Sequence, residues 1–172
     1  MTIDDSLVSE LDGITDAGEL VAEVFHRFGD RAAVGTSGQL TGCVLVDLAA
    51  KCGEPYRVFV VDSLRLLPET YEHWDRLEEH YGIELERFKP DPEKVERMVN
   101  QHGEFLFFDS KTKQEYCCNI RKVEPNEKAL ETVDAWITGL RRDQSDSRAG
   151  TPRIEIDSSY DHPILKLCPL AD

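Results

Sequence analysis

Residues 56–61 read YRVFVV, a run dense in β-branched and aromatic side chains, the clearest strand in the chain. Asp62 and Ser63 close the run. Pro68 then opens a stretch with Tyr71, Trp74 and Leu77 at helical spacing. The same order of strand, turn and helix recurs on both sides. Upstream, residues 18–28 put Leu20, Val21, Val24, Phe25 and Phe28 on one helical face, and residues 31–36 (RAAVGT) form a short β-type run. TSGQLTG follows as a loop, and CVLVDLAAKC reads as a mostly buried helix ended by Gly53. Downstream, residues 83–88 alternate as a strand and DPEKVERMVNQHG reads as a short helix. EFLFFDSKTKQEY is less regular, and CCNIRKVEPNEKALETV reads as a helical segment opened by the cysteines and interrupted at Pro125. Residues 134–138, 153–156 and 164–167 read as three last strands.

This alternation predicts an α/β fold with a mainly parallel sheet and helices on both faces. The strand at 56–61 is expected between those at 31–36 and 134–138. Ligands of such sheets bind beyond the carboxyl ends of the strands. Loops 36–42, 62–67 and 139–150 are therefore expected to converge on one face.

A length of 172 residues suits a single domain spanning 1–172. The net charge of −14 argues against a nucleic-acid or membrane-surface partner, because a phosphate-rich polymer is repelled. No apolar run approaches the roughly 20 residues of a membrane span, and the acidic start MTIDDSLVSE does not read as a signal peptide. A cytoplasmic protein is expected. The odd count of five cysteines does not suggest a disulfide framework. Cys43 and Cys52 read as small buried hydrophobes. Cys117-Cys118 lies in the polar, basic stretch KTKQEYCCNIRK, where cationic neighbours favour thiolate, the metal-binding and nucleophilic form. The five histidines show no metal-ligand spacing and read as surface residues.

The strand-end loops carry the chemistry. TSGQLTG offers three hydroxyls and free backbone N–H groups at a helix start, which attract anions, although it is not a Walker A loop; a plain Ser/Thr-capped helix start is the alternative reading. Asp62-Ser63 either accepts from ribose hydroxyls or an adenine amino group, or ends the strand as a turn. GLRRDQSDSR concentrates Arg141, Arg142 and Arg148, and the window 121–153 holds seven basic and six acidic residues in an otherwise acidic chain. Arginine forks suit phosphate and sulfate oxygens.

DSLRLLPETYEHWDRLEEHYGI, CCNIRKVEPNEKAL and AWITGLRRDQSDSRA occur in the order and spacing of one family. From about residue 20 to 172 the chain resembles the phosphoadenylyl-sulfate and adenylyl-sulfate reductases of assimilatory sulfate reduction and cysteine biosynthesis, in the adenine-nucleotide α-hydrolase-like (PP-loop type) superfamily. The resemblance implies reductive release of sulfite from a sulfonucleotide, adenylyl sulfate or phosphoadenylyl sulfate, with thioredoxin or a similar dithiol as reductant. It places a pyrophosphate-type loop on Ser37, Gly38, Gln39, Leu40 and Thr41, and an Asp-Thr-Gly-Arg loop on Asp62, Ser63, Leu64 and Arg65. It places a phosphosulfate-contacting lysine on Lys122 beside Arg121, and an arginine loop on Arg141 and Arg142. Arg141, Arg142 and Lys122 are thus expected to face one cavity with Ser37 and Thr41. The double cysteine implies the branch with a [4Fe–4S] cluster, held by Cys117 and Cys118, which prefers adenylyl sulfate. A homo-oligomer is compatible with the sequence.

Three positions depart from the family pattern. Ser37-Gly38-Gln39-Leu40-Thr41 stands where the family reads closer to Ser-Phe-Gly-x-x-Asp, and Leu64 replaces a glycine. KLCPLAD resembles a family segment beyond which a second cysteine pair and a nucleophilic cysteine follow. The chain is therefore expected to be the nucleotide-binding part of a reductase, with an incomplete cluster ligand set and no catalytic cysteine of its own. The alternative is a nucleotide-binding module or remnant without reductase activity.

Overall fold

A computed structural model describes residues 2–172. Its elements follow from local signals. Asp4 and Asp16 accept backbone N–H bonds and cap helices α1 (Asp5–Asp12) and α2 (Ala17–Phe28). Strand β1 (Ala32–Gly35) leads into α3 (Leu40–Lys51), and β2 (Val58–Val61) into α4 (Pro68–Tyr81). Pro68 sits in the first turn of α4, and Gly82 ends it in the left-handed conformation at φ 63°. Next come β3 (Glu86–Phe88) and α5 (Pro92–His102), whose N-cap is Asp91. Helix α6 (Lys111–Cys118) runs through a π-helical turn (Asn119–Val123) into α7 (Glu124–Leu130). Strands β4 (Ala135–Thr138), β5 (Ile154–Asp157) and β6 (Ile164–Leu167) complete the sheet.

The six strands lie in the order β3-β2-β1-β4-β6-β5. All pairings are parallel except β5 with β6. Alternation along each strand divides the core. Val34, Val58, Val60, Ile137 and Leu165 pack with residues of α2, α3 and α4 on one face. Ala33, Phe59 and Ile164 pack with Ala129 and Leu130 of α7 on the other. The expected α/β sheet with helices on both faces is present.

Two expectations need correction. The 56–61 strand does not lie between those at 31–36 and 134–138. The central strand is β1, which pairs with β2 on one side and β4 on the other. Its small residues Ala32, Ala33 and Val34 are fully buried, yet they carry less β-type signal than YRVFVV. The cysteine pair closes α6 rather than opening a helix, and Pro125 falls in the first turn of α7 rather than interrupting it. Ser110 caps α6 by accepting from the Lys113 N–H, a start signal that the weak apolar periodicity of KTKQEYCC concealed.

Candidate nucleotide site

The chain runs outward from β1 to β2 and β3, then crosses to β4 on the other side of β1. The order therefore reverses between β1 and β4, and ligands of open α/β sheets bind beyond the strand ends at that point. A cleft of about 140 Å³ lies there, between the loop after β1 and the loop after β4. Thr36, Ser37, Gln39, Thr41 and Gly42 line one wall, and Gly139, Gln144 and Arg148 line the other.

Close approach shapes this cleft. The Thr36 Oγ1 accepts from the Gly38 N–H at 3.0 Å, folding the loop over a glycine at φ 82°. A Cβ on Gly42 would lie 1.8 Å from Thr36 Oγ1, and one on Gly139 would lie 2.8 Å from Thr41 Oγ1. Only glycine lets the two loops and the start of α3 meet here. Gln39 holds the N-cap position of α3 without a side-chain cap, so no side chain there satisfies the first-turn N–H groups. Those donors and the positive end of the helix dipole face a cleft whose one charged lining residue is Arg148.

Arg148 donates to the Oε1 of Gln144, and Gln144 in turn donates to the Gly139 carbonyl at 3.3 Å. Arg148 has no carboxylate partner among the described residues. Arg141 instead forks onto Asp143 at 2.8 and 3.1 Å, while Arg142 donates to the Thr151 carbonyl and the Asp172 carboxylate. The expectation of one cavity shared by Arg141, Arg142, Lys122, Ser37 and Thr41 is thus corrected. Ser37 and Thr41 share the cleft with Gln144 and Arg148, and Lys122 lines a neighbouring pocket. Arg148 stood in the arginine-rich loop, but nothing in the spacing distinguished it from Arg141 and Arg142, whose acidic partners follow from the folded loop.

The neighbouring pocket, about 310 Å³, joins the loop after β2 to the α6–π-turn segment. Ser63, Arg65, Phe107, Cys117, Arg121 and Lys122 are among its lining residues. Asp62 and Ser63 are buried. The Asp62 Oδ1 accepts from the Leu64 N–H at 2.9 Å and the Tyr71 hydroxyl at 2.7 Å, so this carboxylate serves the turn. Leu64 adopts φ 59°, the left-handed region, at the position where the sequence departs from a glycine. Burial and the Asp62 carboxylate push the Tyr71 phenol above its ordinary pKa. Arg65 stacks between the rings of Phe105 and Phe107, at 5.3 and 4.7 Å. Arg121 is 7% exposed, donates to the Ser63 carbonyl at 2.9 Å and leaves its buried Nε unpartnered. None of Arg65, Arg121 and Lys122 has a carboxylate partner among the described residues. Three cations without carboxylate partners line this one pocket, an arrangement whose chemistry suits polyanionic oxygens.

Cys117 is buried and Cys118 half-buried; both face this pocket. Cys43 and Cys52 are half-buried, against the expectation of burial, and Cys168 is buried elsewhere. A [4Fe–4S] cluster needs four thiolates. Among the described residues no group of three or more His, Cys, Asp and Glu side chains is placed to hold a metal ion. The two neighbouring thiols of Cys117 and Cys118 do not complete such a site by themselves. No helix is long and apolar enough to cross a membrane among the described residues.

The family of phosphoadenosine phosphosulfate reductase domains matches residues 31–172. The chain is 39% identical over 157 residues to the adenosine 5'-phosphosulfate reductase of Pseudomonas aeruginosa, covering 89% of this chain and 58% of that protein. It is 38% identical over 158 residues to a probable chloroplastic 5'-adenylylsulfate reductase of Oryza sativa subsp. japonica, covering 91% and 32%. The chain thus spans between about a third and three-fifths of the length of these relatives. A crystal structure of phosphoadenylyl-sulfate reductase from Candida auris in complex with phosphate superposes with a TM-score of 0.77 at 25% identity, covering 99% of this chain and 81% of that one. The FMN adenylyltransferase of Candida glabrata, at TM-score 0.54 and 14% identity, shares the fold.

Proposed function

Because the chain belongs to the phosphoadenosine phosphosulfate reductase domain family, we propose that it is the sulfonucleotide-binding part of a reductase of sulfate assimilation. The substrate of this reading is adenylyl sulfate, in preference to its 3'-phosphorylated form, in keeping with the names of the relatives. The reaction releases sulfite and AMP, and a dithiol of the thioredoxin class supplies two electrons and ends as a disulfide.

The observation that carries the reading is the cleft at the reversal of strand order. It combines an uncapped helix start, two glycines that admit close approach and Arg148 without a carboxylate. In this reading Ser37, Gly38, Gln39, Leu40 and Thr41 bind phosphate oxygens through backbone N–H groups and hydroxyls. Asp62 and Ser63 shape the wall towards the nucleoside. Arg121 and Lys122 hold the sulfate end in the neighbouring pocket, where Cys117 and Cys118 would be this chain's thiols towards a cluster. Arg141 and Arg142 join as ligands only by exchanging their present partners, Asp143 and Asp172. The free thiols support a reducing, cytoplasmic setting.

A second reading, binding without turnover by this chain alone, is favoured by one observation. The only cysteines lining the two pockets are Cys117 and Cys118, which this reading assigns to a cluster, although sulfite release needs a further thiolate at the sulfur. Two assays separate the readings. Calorimetric titration with adenylyl sulfate and AMP tests binding, which both readings require. Release of sulfite with thioredoxin present tests turnover, which only the first requires of the complete enzyme. Absence of any adenylate binding overturns both.

A further inference from the structure

The loops after β1 and β2 belong to different strands, yet one helix holds both. The Trp74 Nε1 of α4 donates to the Ser37 carbonyl at 3.3 Å. One turn earlier on the same helix, the Tyr71 hydroxyl donates to Asp62 Oδ1 at 2.7 Å. The two rings meet edge to face, with centroids 5.6 Å apart and planes at 80°. Trp74 is 1% exposed, so its ring has little freedom to turn. Gly38 is seated directly against it: a Cβ there would lie 2.9 Å from the Trp74 Nε1. The Arg87 guanidinium lies over the Trp74 ring at 5.8 Å and is itself tied to Asp75 and Glu78.

We propose that Tyr71 and Trp74 are positioning residues that lock the 36–39 and 62–64 loops to one helix and so fix the separation of the two halves of the nucleotide site. The proposal rests on the reading of these loops as parts of one site. A ligand that spans both loops gains from a fixed separation, because the geometry it needs is already set. A ligand that touches only one loop gains nothing from the link. The two rings transmit the constraint: the Tyr71 hydroxyl bond orients its ring, and that ring is the edge against which Trp74 packs.

Tyr71→Phe and Trp74→Phe each remove one donor and keep an aromatic ring. Amide hydrogen exchange of the unliganded chain reads the link directly. Tyr71→Phe is expected to speed exchange at Gly38 N–H, a group Tyr71 does not touch, by about three- to ten-fold, and Trp74→Phe to do the same at Leu64 N–H. Changes confined to each residue's own loop overturn the proposal. In titrations, both variants are expected to weaken AMP by about three- to ten-fold while inorganic phosphate changes by less than about two-fold. Equal losses for AMP and phosphate also overturn the proposal. Failure of the unsubstituted chain to bind AMP overturns the nucleotide reading, and the exchange experiment still decides whether the loops are linked. If Trp74→Phe does not fold, Tyr71→Phe, which deletes one oxygen, decides the question alone.

Discussion

The guanidinium of Arg121 donates to the backbone carbonyl of Ser63 at 2.9 Å, tying the π-helical turn behind the cysteine pair to the loop after β2. This arginine is buried and faces no carboxylate among the described residues. A buried, uncompensated charge lowers stability unless a ligand completes it. Replacing Arg121 with Met is therefore expected to leave the unfolding free energy within about 1 kcal/mol of the parent, or raise it. Affinity for adenylyl sulfate is expected to fall at least about tenfold. Denaturant unfolding and calorimetry on the same variant check both halves; a large loss of stability with unchanged affinity would make Arg121 a purely structural residue.

Arg148 and Arg141 separate the two roles available to arginines of one loop. Arg148 lines the cleft, while Arg141 is held by Asp143. The Arg148→Ala substitution is expected to weaken adenylyl sulfate binding by about 10- to 100-fold, against less than about three-fold for Arg141→Ala. Titration calorimetry at one fixed ionic strength measures both, and the reverse ranking would restore Arg141 as the principal ligand.

Gly42 tests the close approach behind the cleft. Its added Cβ would stand 1.8 Å from Thr36 Oγ1 and 2.9 Å from Thr36 Cβ. Rotating Thr36 away relieves the first contact but breaks the bond to Gly38 N–H. Although alanine is the better helix former, Gly42→Ala is expected to cost about 1–3 kcal/mol. Gly150, with nothing near its Cβ position, is the control and is expected to change stability by less than about 0.5 kcal/mol on replacement by alanine. Equal midpoints for the two variants in urea would refute the steric argument.

Leu64 carries the left-handed backbone of the 62–64 turn. Glycine removes the steric cost of that conformation, roughly 1–2 kcal/mol, but adds freedom to the unfolded chain. Leu64→Gly is therefore expected to be neutral or mildly stabilising, whereas the β-branched Leu64→Val is expected to destabilise by about 1–2 kcal/mol. Thermal unfolding of the pair gives the order; valine matching or exceeding glycine would show that the turn relaxes instead.

What was legible in the sequence follows from how local each signal is. The strand at 56–61, the helix start at Pro68, the helix end at Gly53 and the parallel sheet were readable because hydrophobic period and turn chemistry act over a few residues. The central place of β1 was not, because Ala32-Ala33-Val34-Gly35 is small for packing reasons that only neighbouring strands supply. The 36–42 loop was singled out as a candidate by its hydroxyls and glycines. Its arginine was not, since Arg141, Arg142 and Arg148 differ only in the partners that the folded loop brings them. The pairing of Tyr71 with Asp62 joins a helix to a loop nine residues away in sequence and leaves no pattern in composition.

The most direct measurement is a nitrogen-15 NMR titration of the chain with adenylyl sulfate, following backbone amides and arginine side-chain N–H groups together. The account predicts the largest shifts at the amides of Thr41, Gly42 and Gly139 and at the Arg148 guanidinium, with Arg121 responding in the adjoining pocket. Shifts that leave the 36–42 and 139–148 loops unperturbed, or that gather on the outer face of α4, would contradict it.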